Sequence, residues 1–264
     1  MRKKFVVGNW KMNLTQAEAL SNVEALVGQI GSIQSVDMGV CPTYLSIPKV
    51  REALKRTNIK LGGQDVFWAE KGAHTGEVSA PMLADAGVQI CIAGHSETRG
   101  RFGSGGFEGE VATYFAESDA SVNLKLKALL YNNIVPILCV GEILSEREAG
   151  HADGIIERQL RRGLEGIESF EFRDGVVAYE PVWAIGTGKV CDAAEASRVC
   201  GRIRAVLKEL IAPETADVIR ILYGGSVRAS NSRELFTQAN IDGGLVGGAS
   251  LDPEEFCRVV LSAT

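Results

Sequence analysis

Four residue types at well-separated positions could share one reaction: a base at Glu180, an imidazole at His95, a cation at Lys11 and two glycine pairs. Glu180 follows the apolar run Val176-Val177-Ala178-Tyr179 and precedes Pro181. A carboxylate at the end of a buried strand loses water, so desolvation is expected to raise its pKa toward that of a useful base. Pro181 ends the strand, and Ile185-Gly186-Thr187-Gly188 supplies permissive backbone with free N–H groups. Val182, Trp183, Ala184 and Ile185 between them read as exposed apolar residues of a lid. Gly224-Gly225-Ser226 and Gly247-Gly248 offer N–H groups without Cβ obstruction, a nest for an anion. With Gly186 added, such a nest suits a phosphate dianion, and Lys11 attracts the same charge. A base, a neutral hydrogen-bond donor at His95 and a phosphate grip are enough to abstract a proton beside a carbonyl, through an enediolate. Taken singly, each signal is ordinary: a structural histidine, a polar strand end, a solvated lysine, a glycine turn.

Their convergence depends on the elements that carry them. Apolar runs at Phe5–Trp10, Val36–Cys41, Ile59–Gly62, Val88–Ala93, Ile134–Val140, Val176–Tyr179, Ile219–Tyr223 and Gly244–Val246 read as strands. Helical patterns fill the gaps: Thr15–Ile30 with a Thr15/Glu18 capping box, Ile47–Arg56, Ala80–Ala86, Val122–Leu130, Glu142–Ala149 with Gly154–Leu164, Ala193–Leu210, Ser230–Gln238 and Pro253–Leu261. Uniformly apolar strands alternating with amphipathic helices imply a parallel sheet covered on its outside. Eight such units in 264 residues fit an α/β fold, a single-domain (β/α)8 TIM barrel over residues 1–264. A doubly wound open sheet fits less well, because no G-x-G-x-x-G follows the first strand. In a barrel the active site forms at the C-terminal strand ends, and Asn9, Lys11, His95, Glu97, Glu180, Ser226 and Gly247 all fall just there.

Composition excludes other classes. With 28 basic and 33 acidic residues the net charge is −5, and no basic cluster is interleaved with aromatics, so nucleic acid is not an expected partner. No 18-residue apolar span occurs, so no membrane partner is expected. The Met1-Arg2-Lys3-Lys4 start mimics a signal peptide, but Asn9 and Lys11 interrupt its apolar run, and a cytoplasmic location is expected. Six cysteines stand singly without a C-x-x-C pair and only three histidines occur, so free thiols, no metal site and no cofactor are expected.

The stretch Gly100 to Phe115 is out of character, with five glycines among aromatics after the fourth strand. It reads as an insertion at about 100–115, longer than most strand–helix loops.

The motifs Gly8-Asn9-Trp10-Lys11-Met12-Asn13, Gly94-His95-Ser96-Glu97, Ala178-Tyr179-Glu180-Pro181-Val182-Trp183-Ala184-Ile185-Gly186-Thr187-Gly188, Tyr223-Gly224-Gly225-Ser226-Val227 and Leu245-Val246-Gly247-Gly248-Ala249-Ser250 span the chain, which resembles the triosephosphate isomerase family. The resemblance implies interconversion of dihydroxyacetone phosphate and D-glyceraldehyde 3-phosphate, a small phosphorylated triose. It also implies Glu180 as base, His95 as neutral electrophile, Lys11 as electrostatic anchor with Asn9 beside it, and Glu97 orienting Lys11. Gly186, Ser226 and Gly248 would bind phosphate. Family members are usually homodimers whose third loop enters the partner's site; here that is the 63–79 loop, with Thr75-Gly76-Glu77 at its tip. The sequence departs from the family at Thr98-Arg99, at His74 and at a Phe115-Ala116-Glu117-Ser118-Asp119 segment displaced by about a dozen residues. Those departures bear on the dimer contact rather than on the chemistry. The insertion reads as a solvent-exposed loop, since surface insertions cost little. Two other functions fit the sequence less well. A Schiff-base aldolase would need a lysine where Glu180 stands, and a barrel scaffold whose insertion serves a partner would not need Lys11, His95 and Glu180 together.

Overall fold

The computed structural model describes residues 2–115 and 117–264. Ala116, part of the displaced family segment, lies outside the described residues. Strands β1 (Phe5–Asn9), β2 (Asp37–Cys41), β3 (Ile59–Gly63), β4 (Ile90–Ala93), β5 (Val135–Val140), β6 (Val176–Tyr179), β7 (Arg220–Tyr223) and β8 (Gly243–Val246) run parallel and close in chain order into a barrel. Closure is made by β8 against β1, with Phe5 beside Gly243 and Gly8 beside Val246.

Alternation along each strand sorts its side chains into two cores. Phe5, Val7, Cys41, Ile92, Cys139, Ala178 and Leu222 point inward and fill the barrel. Val6, Val40, Cys91, Leu138, Tyr179 and Ile221 point outward, under the helices. Both faces are therefore dry, which is why the strands read as continuous apolar runs.

Ten helices among the described residues surround the barrel: α1 (Gln16–Ile30), α2 (Ile47–Leu54), α3 (Ala80–Asp85), α4 (Asp119–Tyr131), α5 (Leu144–Glu148), α6 (Ala152–Gly163), α7 (Ala193–Leu210), α8 (Pro213–Val218), α9 (Ala229–Phe236) and α10 (Pro253–Leu261). The Thr15/Glu18 capping box starts α1 as the sequence implies. Two elements differ from expectation. The six-residue α8 has too few turns to show a helical period. The helix expected from Glu142 begins only at Leu144, because Glu142 turns inward and its carboxylate accepts from Tyr179 (3.1 Å) and Trp183 (2.9 Å).

Candidate active site

The expected site residues stand at or after C-terminal strand ends: Asn9 closes β1 and Lys11 follows it, His95 and Glu97 follow β4, Glu180 and Gly186 follow β6, Ser226 follows β7, and Gly247 and Gly248 follow β8. Lys11, two residues past β1, has a left-handed backbone with φ 51°. A non-glycine residue holds that conformation at a cost of about 1–3 kcal/mol unless its surroundings impose it. Here the Asn9 side chain accepts the Lys11 N–H at 3.0 Å, and Gln64 Nε2 donates to the Lys11 carbonyl at 2.8 Å and to the Cys41 carbonyl at 2.9 Å. The side chain then reaches Glu97, with Nζ 2.7 Å from Oε1.

His95 follows β4 and Glu180 follows β6, with only β5 between them, and both are nearly sealed from solvent, at 7% and 2% exposure. Nε2 of His95 lies 2.9 Å from Glu180 Oε1. The Glu97 backbone N–H donates to His95 Nδ1 at 3.2 Å. That donation requires a lone pair on Nδ1, so the neutral ring carries its proton on Nε2, facing Glu180. Glu180 also accepts from the Ser96 N–H (3.0 Å) and the Ser96 hydroxyl (3.1 Å).

The direction of the Glu180 pKa reverses the expectation drawn from its position. Burial does push the carboxyl up, but the His95 charge and hydrogen bond, the Ser96 N–H and the Lys11 charge outweigh it and hold it below the usual carboxylate range. Burial pulls His95 down, and the Glu180 charge and hydrogen bond more than offset this and raise it. Both shifts belong to the arrangement in which the two side chains face each other.

A cavity of about 440 Å³ opens over this pair and is lined by Asn9, Lys11, His95, Glu180, Gly186, Ser226, Gly247 and Gly248 among others. Glu97 borders a neighbouring cavity of about 310 Å³ and reaches the first one through Lys11. The glycine at 224 packs closely under the base: a Cβ there would stand 3.0 Å from Glu180 Cγ and 3.1 Å from the Tyr179 carbonyl oxygen. At Gly248 nothing lies within 4 Å of the space a Cβ would take, so its backbone faces open space.

The apolar half of the expected lid is not exposed. Val182, Trp183 and Ala184 form one buried turn after Pro181, with Trp183 held by Glu142 and covered by the Arg147 guanidinium 4.5 Å from its ring. The exposed part of the lid is the tip that follows, from Gly186 to Val190, with Thr187 half-buried. The glycine-rich stretch after β4 is largely exposed from Ser104 to Tyr114, as expected of a surface loop. Its first limb, however, packs on the lid, with Ser104 Oγ donating to the Gly186 carbonyl at 2.8 Å.

Sequence reasoning passed over Gln64, Ser96 and Glu142 as working residues. Gln64 and Glu142 follow β3 and β5, so extending the search for polar residues to every C-terminal strand end would have found them. No local signal marks Ser96 as the donor that restrains Glu180, since its partner is 84 residues away.

The described residues include no helix long and apolar enough to cross a membrane. A family model described as triosephosphate isomerase matches residues 4–263. Curated relatives of that name include the protein of Moorella thermoacetica, 49% identical with 98% of both chains covered, and that of Citrifermentans bemidjiense, 46% identical with 98% of both covered. The protein of Acetivibrio thermocellus is 46% identical, with 98% of this chain and 97% of its own covered.

Proposed function

We infer the chemistry of this pocket from one premise: the chain belongs to the triosephosphate isomerase family. It is an aldose–ketose isomerase that interconverts dihydroxyacetone phosphate and D-glyceraldehyde 3-phosphate, a glycolytic reaction. We assign the steps to its residues as follows. Ser226, Gly247, Gly248 and, once the lid moves, Gly186 hold the phosphate by N–H donation, and Lys11 adds a positive charge fixed by Glu97. Substrate entering the cavity separates Glu180 from His95 and Ser96. The Glu180 carboxylate removes a proton from the carbon beside the carbonyl, and the pair of electrons left behind moves to form the enediolate. The freed Nε2–H of neutral His95 donates to the oxygen that gains charge. Returning the proton to the neighbouring carbon completes the exchange of aldehyde and ketone, and no electrons leave the substrate.

The observation that carries this assignment is the 2.9 Å approach of His95 Nε2 to Glu180 Oε1 at the floor of a cavity whose far side is glycine backbone. Both proton-handling groups thus face the same substrate position.

We extend the reading to assembly. Met12 (93% exposed) and Leu45 (76% exposed) are large apolar side chains open to solvent; Met12 lines the second cavity, and Leu45 follows Tyr44, which lines it too. Residues 71–77 of the third loop are all exposed, and the Phe67 ring packs at a tilt against His74, with centroids 4.6 Å apart. A homodimer in which this 63–79 loop seats in the partner's 310 Å³ cavity would cover them and press on Lys11 and Glu97. Residues 1–264 are taken as one barrel domain with an insertion at 100–115. All six cysteines are free and buried, which accords with a reducing, cytoplasmic setting.

The test is turnover of D-glyceraldehyde 3-phosphate, coupled to reduction of the dihydroxyacetone phosphate formed, across a dilution series of protein. High specific activity is expected at high concentration, falling on dilution if the dimer is needed. No turnover at any concentration would refute the assignment.

A further inference from the structure

Beyond the phosphate grip and the two proton-handling groups, the glycine-rich loop after β4 makes a contact that the isomerase reaction does not require. Ser104 Oγ donates to the Gly186 carbonyl at the lid tip (2.8 Å). Among the described residues, this is the hydrogen bond that ties the tip to anything outside the lid itself. Beside it, the Gly103 backbone lies against two lid carbonyls, so close that a Cβ at Gly103 would stand 2.2 Å from the Ile185 oxygen and 2.3 Å from that of Val182. Only glycine permits that approach.

The loop is anchored to the barrel at both ends, so it does not travel with the lid. At its start the Arg101 N–H donates to the Ser96 carbonyl (2.8 Å), and its guanidinium pairs with Glu146 and the Gly141 carbonyl (3.2 Å). At its far end the Thr98 hydroxyl donates to Glu117 (2.6 Å), which also pairs with Lys125. Between them the Phe102, Phe107 and Phe115 rings pack on one another at 4.9–5.9 Å and hold the loop's shape. Gly186 meanwhile is exposed at the rim of a cavity of about 440 Å³, roomier than a triose phosphate of ten heavy atoms needs. Gly186 lines this cavity with Ser226 and Gly248, and the isomerase reading asks its amide to close inward with theirs around one phosphate.

We propose that the inserted loop is a latch that holds the lid tip outward, with Ser104 as a positioning residue that acts on substrate binding through Gly186. The proposal rests on the isomerase reading. Closing the lid breaks the Ser104–Gly186 hydrogen bond and withdraws Ile185 from Gly103, so part of the binding energy of the substrate is spent on release of the latch. The latch weakens the grip on both triose phosphates and favours their departure.

The experiment compares the full-length wild type with Ser104→Ala, Ser104→Thr and Gly103→Ala. The probe is glycerol 3-phosphate, which carries the phosphate but no carbonyl and cannot be isomerised. Its dissociation constant is measured by titration calorimetry alongside KM and kcat for D-glyceraldehyde 3-phosphate. Loss of one hydrogen bond predicts that Ser104→Ala binds glycerol 3-phosphate about 2- to 10-fold more tightly, with KM lowered in step and kcat little changed or lowered. Ser104→Thr keeps the hydroxyl and restores the wild-type value, and Gly103→Ala, which pushes the loop off the lid, follows Ser104→Ala. A purely structural role would instead lower the melting temperature and leave the dissociation constant alone. Equal or weaker binding in Ser104→Ala, or no binding by any of the four proteins, would overturn the latch. A wild type that binds glycerol 3-phosphate without turning over substrate would fault the proposed reaction and leave the latch readable from the binding data.

Discussion

The two rims of the barrel both hold acidic and basic side chains close together, and they use them in opposite ways. At the N-terminal rim Asp242 is saturated. It accepts from Arg2 (2.8 Å), Arg204 (2.7 Å) and the Ile221 N–H (2.9 Å), while Arg204 also donates to the Ala216 and Ile219 carbonyls. Asp37 similarly pairs with Lys3 (2.6 Å) and Arg220 (2.7 Å). At the C-terminal rim Glu180 has donors as well, but they are borrowed. His95 and Ser96 hold the carboxylate over an open cavity, where a substrate can take their place. Charge that is fully spent on the chain's own groups fixes the fold, and charge that faces a cavity is available for reaction.

Substitution separates the rims most sharply at their central carboxylates. Glu180→Gln is expected to lower kcat by roughly 10²- to 10⁴-fold with little change in KM and little change in melting temperature, as for loss of a general base; steady-state kinetics beside a thermal melt reads both. The mirror substitution, Asp242→Ala, strands a buried arginine and should cost about 3–5 kcal/mol of stability, measured by urea unfolding, while kcat/KM of the folded fraction stays at the wild-type value. A large kinetic defect in Asp242→Ala would break the comparison.

Smaller effects sharpen it. Removing the Gln64 amide that holds the Lys11 carbonyl, by Gln64→Ala, is expected to lower kcat/KM about 5- to 30-fold, mainly through KM, because Lys11 is then free to leave its strained backbone. An unchanged KM would mean that Asn9 alone keeps Lys11 in place.

The last difference concerns pH. The raised pKa of His95 means that its pairing with Glu180 stabilises the fold in full below the unfolded imidazole value of about 6.5, and that this is lost as pH rises through the folded value. The lowered pKa of Glu180 means that its share is present above about 4.3 and is lost as pH falls through the folded value. The wild type should therefore exceed His95→Gln in stability by most, on the order of 1 kcal/mol, between about pH 4.3 and 6.5. Unfolding curves at pH 5.5 and pH 8.5 compare the two, and a gap that widens at the higher pH would contradict the pairing.

Much of the barrel is legible in the sequence because both faces of its strands are buried, which leaves apolar runs at regular intervals. The proposed reacting groups are legible for a related reason: a lone Glu180 or His95 after such a run has to stand at the mouth. What each group does in the resting protein is not legible in the same way. The direction of the Glu180 pKa depends on Ser96 and His95, which the fold brings from the far side of the chain, and position alone favoured the opposite sign. The glycine-rich loop after β4 shows its glycines and aromatics in sequence but not its partner, because the Ser104–Gly186 contact joins residues 82 apart. Trp183 reads as an exposed lid residue until Glu142, an acid expected to begin a helix, is found turned toward it.

The central claim is that Glu180 carries the proton during isomerisation. The direct measurement is to run the reaction in D₂O and follow product deuteration by NMR, with the wild type and Glu180→Gln side by side. The account predicts that the wild-type product takes deuterium from solvent at the carbon that is reprotonated, and that Glu180→Gln loses turnover and exchange together. Rapid turnover, or solvent exchange, that persists in Glu180→Gln would contradict it.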